Sequence, residues 1–201
     1  DGPTLQVVEQ ELHGRVTQFS QDLRVASDFR GAFNFILGAY YNEERAHDGN
    51  SLRYFTDLDL NGDGVVNASD CLLTLFIGCE YRNDFRQTRK SAALYGDVQY
   101  KLTERVTLRG GLRYTHDSGD LTAFKAQLLG ADGTYIANTI PGDPANLDAT
   151  TGLSFRKGMT TGKVGFDYKT AAGNLLYASF SRGYRANAFN AQAFLAPTVN
   201  C

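Results

Sequence analysis

Asp59, Asn61, Asp63, Asn67 and Asp70 place oxygen-bearing side chains at positions 1, 3, 5, 9 and 12 of the stretch "DLNGDGVVNASD", residues 59–70. Val65 adds a backbone carbonyl at position 7, and Gly64 stands at position 6, where a calcium loop turns sharply. A hard cation such as calcium takes this kind of all-oxygen set. Val66, at position 8, is expected to pack the loop inward. Position 12 is Asp rather than Glu, so its carboxylate reaches less far for two-oxygen ligation and the site is expected to be weak. The competing reading is an Asn/Asp/Gly-rich turn that holds no metal. The following "CLLTLFIG", residues 71–78, is expected to form a helix leaving the loop.

Other chemistry is sparse. His13, His47 and His116 lie far apart and make no metal or catalytic spacing, so they read as solvated or lumen-facing. No Ser-centred nucleophile elbow, phosphate loop or paired-Cys zinc pattern occurs. The chain is therefore not expected to be an enzyme. Lys and Arg number 20 against 22 Asp and Glu, a net charge of -2, which gives nucleic acid no basic surface. "SRGYR", residues 181–185, is one short basic stretch at a strand end, read as lumen or interface charge. Asn67-Ala-Ser69 is a formal glycosylation sequon to which no role is assigned.

The elements that must carry the calcium loop are strands. Gly is abundant at 21, Pro scarce at 4, and 13 Phe and 11 Tyr occur without Trp. That mixture favours strands and turns. Three hairpins follow, at about 17–45, 90–117 and 159–185, each closed by a connection of only a few residues. Between them lie long connections, roughly 46–89 and 118–158, where compact domains seldom exceed about 12–15 structureless residues. Both follow the second strand of a pair. All long connections therefore share one end of the sheet and all tight turns the other. The polar stretch "GADGTYIANTIPGDPANLDATTG", within 119–157, is long enough to touch a ligand, which it does not identify.

Alternation supports the same reading. Phe33, Phe35, Leu37, Ala39 and Tyr41 share one face of their strand; Asn34, Ile36, Gly38, Tyr40 and Asn42 share the other. Likewise Val106, Leu108, Gly110, Leu112 and Tyr114 oppose Thr107, Arg109, Gly111, Arg113 and Thr115. A soluble sandwich alternates too, with its apolar face inward. Strands of about 11–13 residues exceed the usual 5–6 of soluble sheets and suit a tilted membrane strand of about 9–11. Phe33 and Tyr100 mark the apolar face near the short turns, Tyr41 and Tyr114 near the long connections, as aromatic girdles do. The fold class is all-β: an antiparallel up-and-down transmembrane β-barrel segment of about six strands, with long extracellular loops. One of them, at 46–89, carries a small helical calcium-loop insertion. Six strands are too few to close a membrane barrel, which needs about eight, so residues 1–201 are read as a partial barrel. The beginning, "DGPTLQVVEQ", and the end, "LAPTVNC", are likewise expected to be cuts in a longer chain.

Three phrases carry a family resemblance: "FSQDLRVASDFRGAFNFILGAYYNEE", "ALYGDVQYKLTERVTLRGGLRYTHD" and "GKVGFDYKTAAGNLLYASFSRGYRANAFN". Each resembles TonB-dependent receptors, active transporters of the Gram-negative outer membrane. The resemblance implies a large single-chain barrel filled by an N-terminal plug. It implies uptake of a scarce ligand of the siderophore, cobalamin or carbohydrate class, and localisation in the cell outer membrane. The partners it implies are outer-membrane lipid and an energy-coupling inner-membrane complex, reached through a plug absent from these residues. A passive outer-membrane porin and a secreted calcium-dependent binding module with a soluble β-sandwich remain as alternatives. Residues 59–78 resemble one half of a dockerin, a module with an EF-hand-type loop, here in a single copy.

Cys71 and Cys79 lie eight positions apart in the insertion, and Cys201 is left over. In a protein that passes an oxidising compartment, Cys71 and Cys79 are a disulfide candidate; two buried free thiols are the alternative. Eight residues along one straight helix span about 12 Å, beyond the bridging range of about 7 Å. The expected helix must then break before Cys79, and Gly78 is a suitable stop.

Overall fold

The computed structural model describes residues 7–72, 77–138, 153–190 and 198–200. Six long strands form one antiparallel sheet in chain order: β1 (Val8–Ala26), β2 (Phe33–Tyr54), β3 (Cys79–Lys101), β4 (Val106–Gly130), β6 (Leu153–Lys169) and β7 (Leu175–Arg182). A short β5 (Tyr135–Asn138) pairs with the end of β4 and brings the sheet to seven strands. β8 (Ala188–Asn190) and β9 (Thr198–Asn200) make a separate two-stranded ribbon. No helix among the described residues is long and apolar enough to cross a membrane.

The short turns are fixed by side chains. Asn34 Oδ1 accepts from the Phe29 N–H (2.7 Å) between β1 and β2. Thr103 Oγ1 accepts from the N–H groups of Arg105 (3.2 Å) and Val106 (3.0 Å) between β3 and β4. Such bonds satisfy turn amides that the ladder leaves unpaired. The up-and-down order and the separation of short turns from long connections agree with the sequence reading.

Strand bounds differ from it. β1 begins at Val8 instead of about 17, and β2 and β3 consume much of the expected loop 46–89, leaving 55–78 as the connection. β4 likewise runs on to Gly130, so the connection placed at 118–158 shrinks to 131–152, part of which lies outside the described residues. The cause is that 46–54, 79–89 and 118–130 have polar, charged residues on the outward face. Alternation of a membrane type stops there while antiparallel pairing continues, with a register shift between Asp84 and Arg86. β7 ends at Arg182, short of the expected 185, and the chain then folds back across the sheet.

Register aligns the two faces. Leu37 stands opposite Gly96, Gly96 opposite Leu112 and Leu112 opposite Gly162, so one apolar face runs across four strands. On β4 this face is open, with Leu112 68% and Tyr114 52% exposed, while Thr115, Asp117 and Leu121, on the other face further along the strand, are buried. The polar face is therefore the shielded, concave one.

The outward apolar band spans Phe33 to Tyr41 on β2, about the 9–11 residues a tilted strand needs to cross. Phe19 and Tyr41 close it with rings 6.4 Å apart. Beyond Tyr41 the outer face turns charged: Glu43 accepts from the Tyr41 hydroxyl (2.8 Å) and pairs with Arg45 (2.6 Å). β2 then continues to Tyr54, about 40 Å further at strand rise.

A bulge marks this upper half. Asp84 pairs with Lys125 but Arg86 with Thr122, so Ala123 and Phe124 together oppose Phe85. Ala123 takes φ 52°, the left-handed region an extra bulge residue adopts. The insertion changes parity: below it odd residues of β4 face inward, above it Phe124, Ala126 and Leu128 do. Leu121, Phe124 and Ala126 are thereby buried together, with Phe85, Leu153 and Phe189 against them.

Candidate functional site

Within the membrane-level band the concave wall carries a network of charge. Arg24 pairs with Asp22 (2.5 Å), Lys163 with Asp97 (2.6 Å) and Arg109 with Asp167 (2.5 Å). The Tyr95 hydroxyl donates to Asp22 Oδ1 (2.8 Å), reaching from β3 over β2 to β1. Gly38 makes that reach possible, because a Cβ there would lie 2.2 Å from the Tyr95 ring. The Arg113 guanidinium lies over the rings of Tyr40 (5.3 Å) and Tyr95 (5.7 Å). Charges in this number at membrane depth need water or protein on their side of the sheet. The sequence reading placed Arg109, Arg113 and Lys163 on this face, where they stand.

Above the network, residues 183–190 strap the wall. The Tyr184 hydroxyl donates to Asp117 Oδ2 (2.5 Å), Arg89 reaches the Asn187 carbonyl (3.5 Å), and Phe189 packs on Phe155 with ring centres 5.2 Å apart. Strap and wall enclose a cavity of about 380 Å³ beside Asn42, Arg89, Arg113, Asp117, Phe155 and Asn187.

The connection 55–78 is held by side chain to backbone bonds. Asp59 accepts from the N–H groups of Gly62 and Gly64, both at 2.7 Å. Asn61 Oδ1 accepts from Asp63 N–H (2.9 Å), and its amide donates to Asp63 Oδ2 (3.1 Å). The Val65 carbonyl accepts from the Asn67 amide (3.1 Å). Gly64 takes φ 82°, as its place in the turn requires. Asp59, Asn61 and Asp63 thus sit together on the exposed tip. Asp70 does not join them: it is fully buried and accepts from Leu60 N–H (2.8 Å), Asn61 N–H (3.2 Å) and Asn67 N–H (2.8 Å). Those backbone donors, Asn67 first, hold its carboxyl below the ordinary value of 3.8 against the opposing effect of burial. Among the described residues no three His, Cys, Asp or Glu side chains converge on a metal position.

Two expectations are corrected here. Val66 is 36% exposed and packs nothing inward. Among the described residues no helix follows Asp70: a single 3-10 turn covers Ala68–Asp70, then Leu72 bridges Ile77 as extended backbone, with 73–76 outside the described residues. This return brings Cys71 to 4.9 Å from Cys79 between Cα atoms, and the two are disulfide-bonded. Cys71 packs against the buried cluster of Cys79, Tyr81 and Leu128, which holds this return to the sheet. His13, His47 and His116 are exposed, as solvated histidines should be; His13 and His47 also approach Asp84 across the strands, at 3.9 and 2.9 Å. Cys201 lies outside the described residues.

The family model described as "TonB dependent receptor-like, beta-barrel" matches residues 4–200. The chain belongs to the TonB-dependent receptor family. Among solved structures, the ferric yersiniabactin uptake receptor FyuA from Yersinia pestis has the same fold, with a TM-score of 0.67 at 17% identity. The match covers 96% of this chain and 25% of that receptor, so the chain spans about a quarter of its length. No curated protein matches. For a TonB-dependent receptor barrel, the outward apolar face is the lipid side and the concave charged wall is the lumen. The strap 183–190 and its cavity were missed in the sequence. "SRGYRANAFN" carried the signal: Gly183 ends the alternation, and Tyr184, Asn187 and Phe189 are too mixed in character for a lipid-facing strand.

Proposed function

We propose that these residues form part of the wall of an outer-membrane receptor that actively takes up a scarce small ligand. The observation that carries this reading is the two-faced sheet of a family member, apolar outside and charged inside along one register. A passive porin shares such strands, but membership of the TonB-dependent receptor family favours energy-coupled uptake through a plug and an inner-membrane complex. One continuous sheet with its apolar face open favours a barrel over a soluble sandwich. Among siderophore, cobalamin and carbohydrate ligands we favour a siderophore, since the similar fold of FyuA serves a ferric chelate. Deleting the full-length gene and measuring radiolabelled ferric-chelate, cobalamin and oligosaccharide uptake tests this. Loss of ferric-chelate uptake on deletion, and again when the inner-membrane complex is de-energised, supports it. Uptake that survives de-energising sinks it.

We also propose that residues 59–70 take calcium weakly outside the cell, with Asp59, Asn61, Asp63, the Val65 carbonyl, Asn67 and Asp70 as donors. Asp59, Asn61 and Asp63 fit, being exposed together on the turn. Asp70 fits only by giving up backbone N–H groups, which argues for the weak end of the range, about 10⁻⁴–10⁻³ M. Calorimetry on the full-length protein should show calcium heat that Asp59→Ala removes; no heat at millimolar calcium would leave the loop a metal-free turn.

A further inference from the structure

On the concave wall, Arg24, Arg109 and Lys163 each have a carboxylate within ion-pair distance. Arg89 and Arg113, which border the cavity beneath the strap, have none among the described residues. Arg113 gives Nε–H to Thr115 Oγ1 (3.0 Å) and rests on two tyrosine rings, which keep its guanidinium in place with its other N–H groups uncommitted. Among the described residues Arg89 makes only the long bond to the Asn187 carbonyl. Glu44 stands opposite Arg89 in register yet forms no ion pair with it. Asp117 is occupied by the Tyr184 hydroxyl. The cavity also holds an orphan: Asn187 is 8% exposed, and its Oδ1 has no hydrogen-bond partner among the described residues. Buried polar atoms are rarely left so. Phe155 lines one side of the space, with Phe189 behind it.

Two unpaired guanidiniums, an unmatched amide and a phenyl wall describe what they complement. We infer that this cavity is a lumenal subsite for the aromatic carboxylate part of a ligand. The carboxylate takes the free N–H groups of Arg89 and Arg113, the ring lies against Phe155, and a hydroxyl or N–H on the ring donates to Asn187. Guanidinium forks favour carboxylates over neutral groups of the same shape, since each bond is charge-assisted. The inference rests on the receptor reading, since it places the subsite on the passage through the barrel.

The test uses purified full-length receptor in detergent, with 4-fluorobenzoate as probe and neutral 4-fluorobenzamide as its control, both followed by ¹⁹F line broadening. Broadening of the benzoate alone is expected. Arg89→Gln and Arg113→Gln should each weaken it about ten-fold or more, while Arg109→Gln, on the same wall but ion-paired elsewhere, should not. Asn187→Asp, which adds a negative charge inside the cavity, should abolish it. Heat-modifiable gel mobility identifies variants that keep the folded barrel. No benzoate binding by wild type, equal binding of the benzamide, or binding unchanged in both arginine variants would overturn the subsite. Ferric-chelate uptake, measured separately, shows whether the receptor reading stands when the subsite falls.

Discussion

In the membrane-level half of the sheet Leu37, Leu94 and Leu112 face outward, and Asp22, Asp97 and Arg113 face inward. In the upper half of the same strands Glu43, Arg45 and Lys90 face outward, and Leu121, Phe124 and Ala126 are buried inside. Antiparallel pairing runs through both halves, with a bulge opposite Phe85 in the upper one. What changes is the solvent. Lipid against the lower half rewards apolar groups outside and leaves charge to the lumen. Water against the upper half removes that reward, so apolar side chains pack inward as in a soluble sheet.

The bulge at Ala123 lets β4 continue this inward packing beyond Leu121, and emptying the cluster around it should have the largest effect. Phe124→Ala empties the middle of that cluster while leaving the register of β4 intact. The upper cluster should lose the roughly 3–5 kcal/mol typical of Phe→Ala in a core. Limited proteolysis should then cut within 119–135 while heat-modifiable mobility still reports a closed lower barrel. Unchanged protease resistance would mean that the two halves are not organised separately.

A smaller effect distinguishes the faces of the lower half. Leu112→Arg puts a charge on the lipid side near the middle of the band, at a cost of about 2–4 kcal/mol. Arg109→Leu removes a charge from the lumen side; the guanidinium is 59% exposed in its pair with Asp167, and pairs so open to solvent contribute about 1 kcal/mol or less. Urea unfolding of the full-length protein from bilayers should rank them in that order. Equal destabilisation would contradict the assigned facing.

The lower half was legible in the sequence because one period serves two solvents: Phe33 to Tyr41 and Val106 to Tyr114 spell it out residue by residue. The upper half was not. From Glu43 onward the outward residues are charged, which reads as loop, and the inward apolar residues of β4 change parity at Ala123, which hides them from any fixed period. The loop was legible in its turns and not in its ends. The spacing of Asp59, Asn61, Asp63 and Gly64 gave the turn, because Asx bonds act within a few residues. The course of 71–78 depends on Cys79, Tyr81 and Leu128, whose proximity is tertiary.

The smallest effect concerns Asp70, which joins loop to sheet. The Cβ that Gly78 lacks would lie 2.3 Å from the Asp70 carbonyl, so the chain returning to β3 passes directly against it. The bonds from Asn67, Leu60 and Asn61 hold the Asp70 carboxyl below its ordinary value of 3.8. A depressed carboxyl contributes stability that is fully present above the unfolded value and is lost as pH falls through the folded one. The loop should therefore be indifferent to pH between about 8 and 5 and should loosen only below its ordinary value. Hydrogen-exchange mass spectrometry on the full-length protein reads this as protection factors for the peptide covering 57–70. Protection should fall on acidification below that value, while peptides from the membrane-level parts of β3 and β4 keep theirs. Asp70→Ala should show the acid level of protection already at neutral pH and no further pH dependence. If acid leaves the wild-type loop protected, the disulfide and the packing at Gly78 hold it without Asp70, and loop and sheet are one unit.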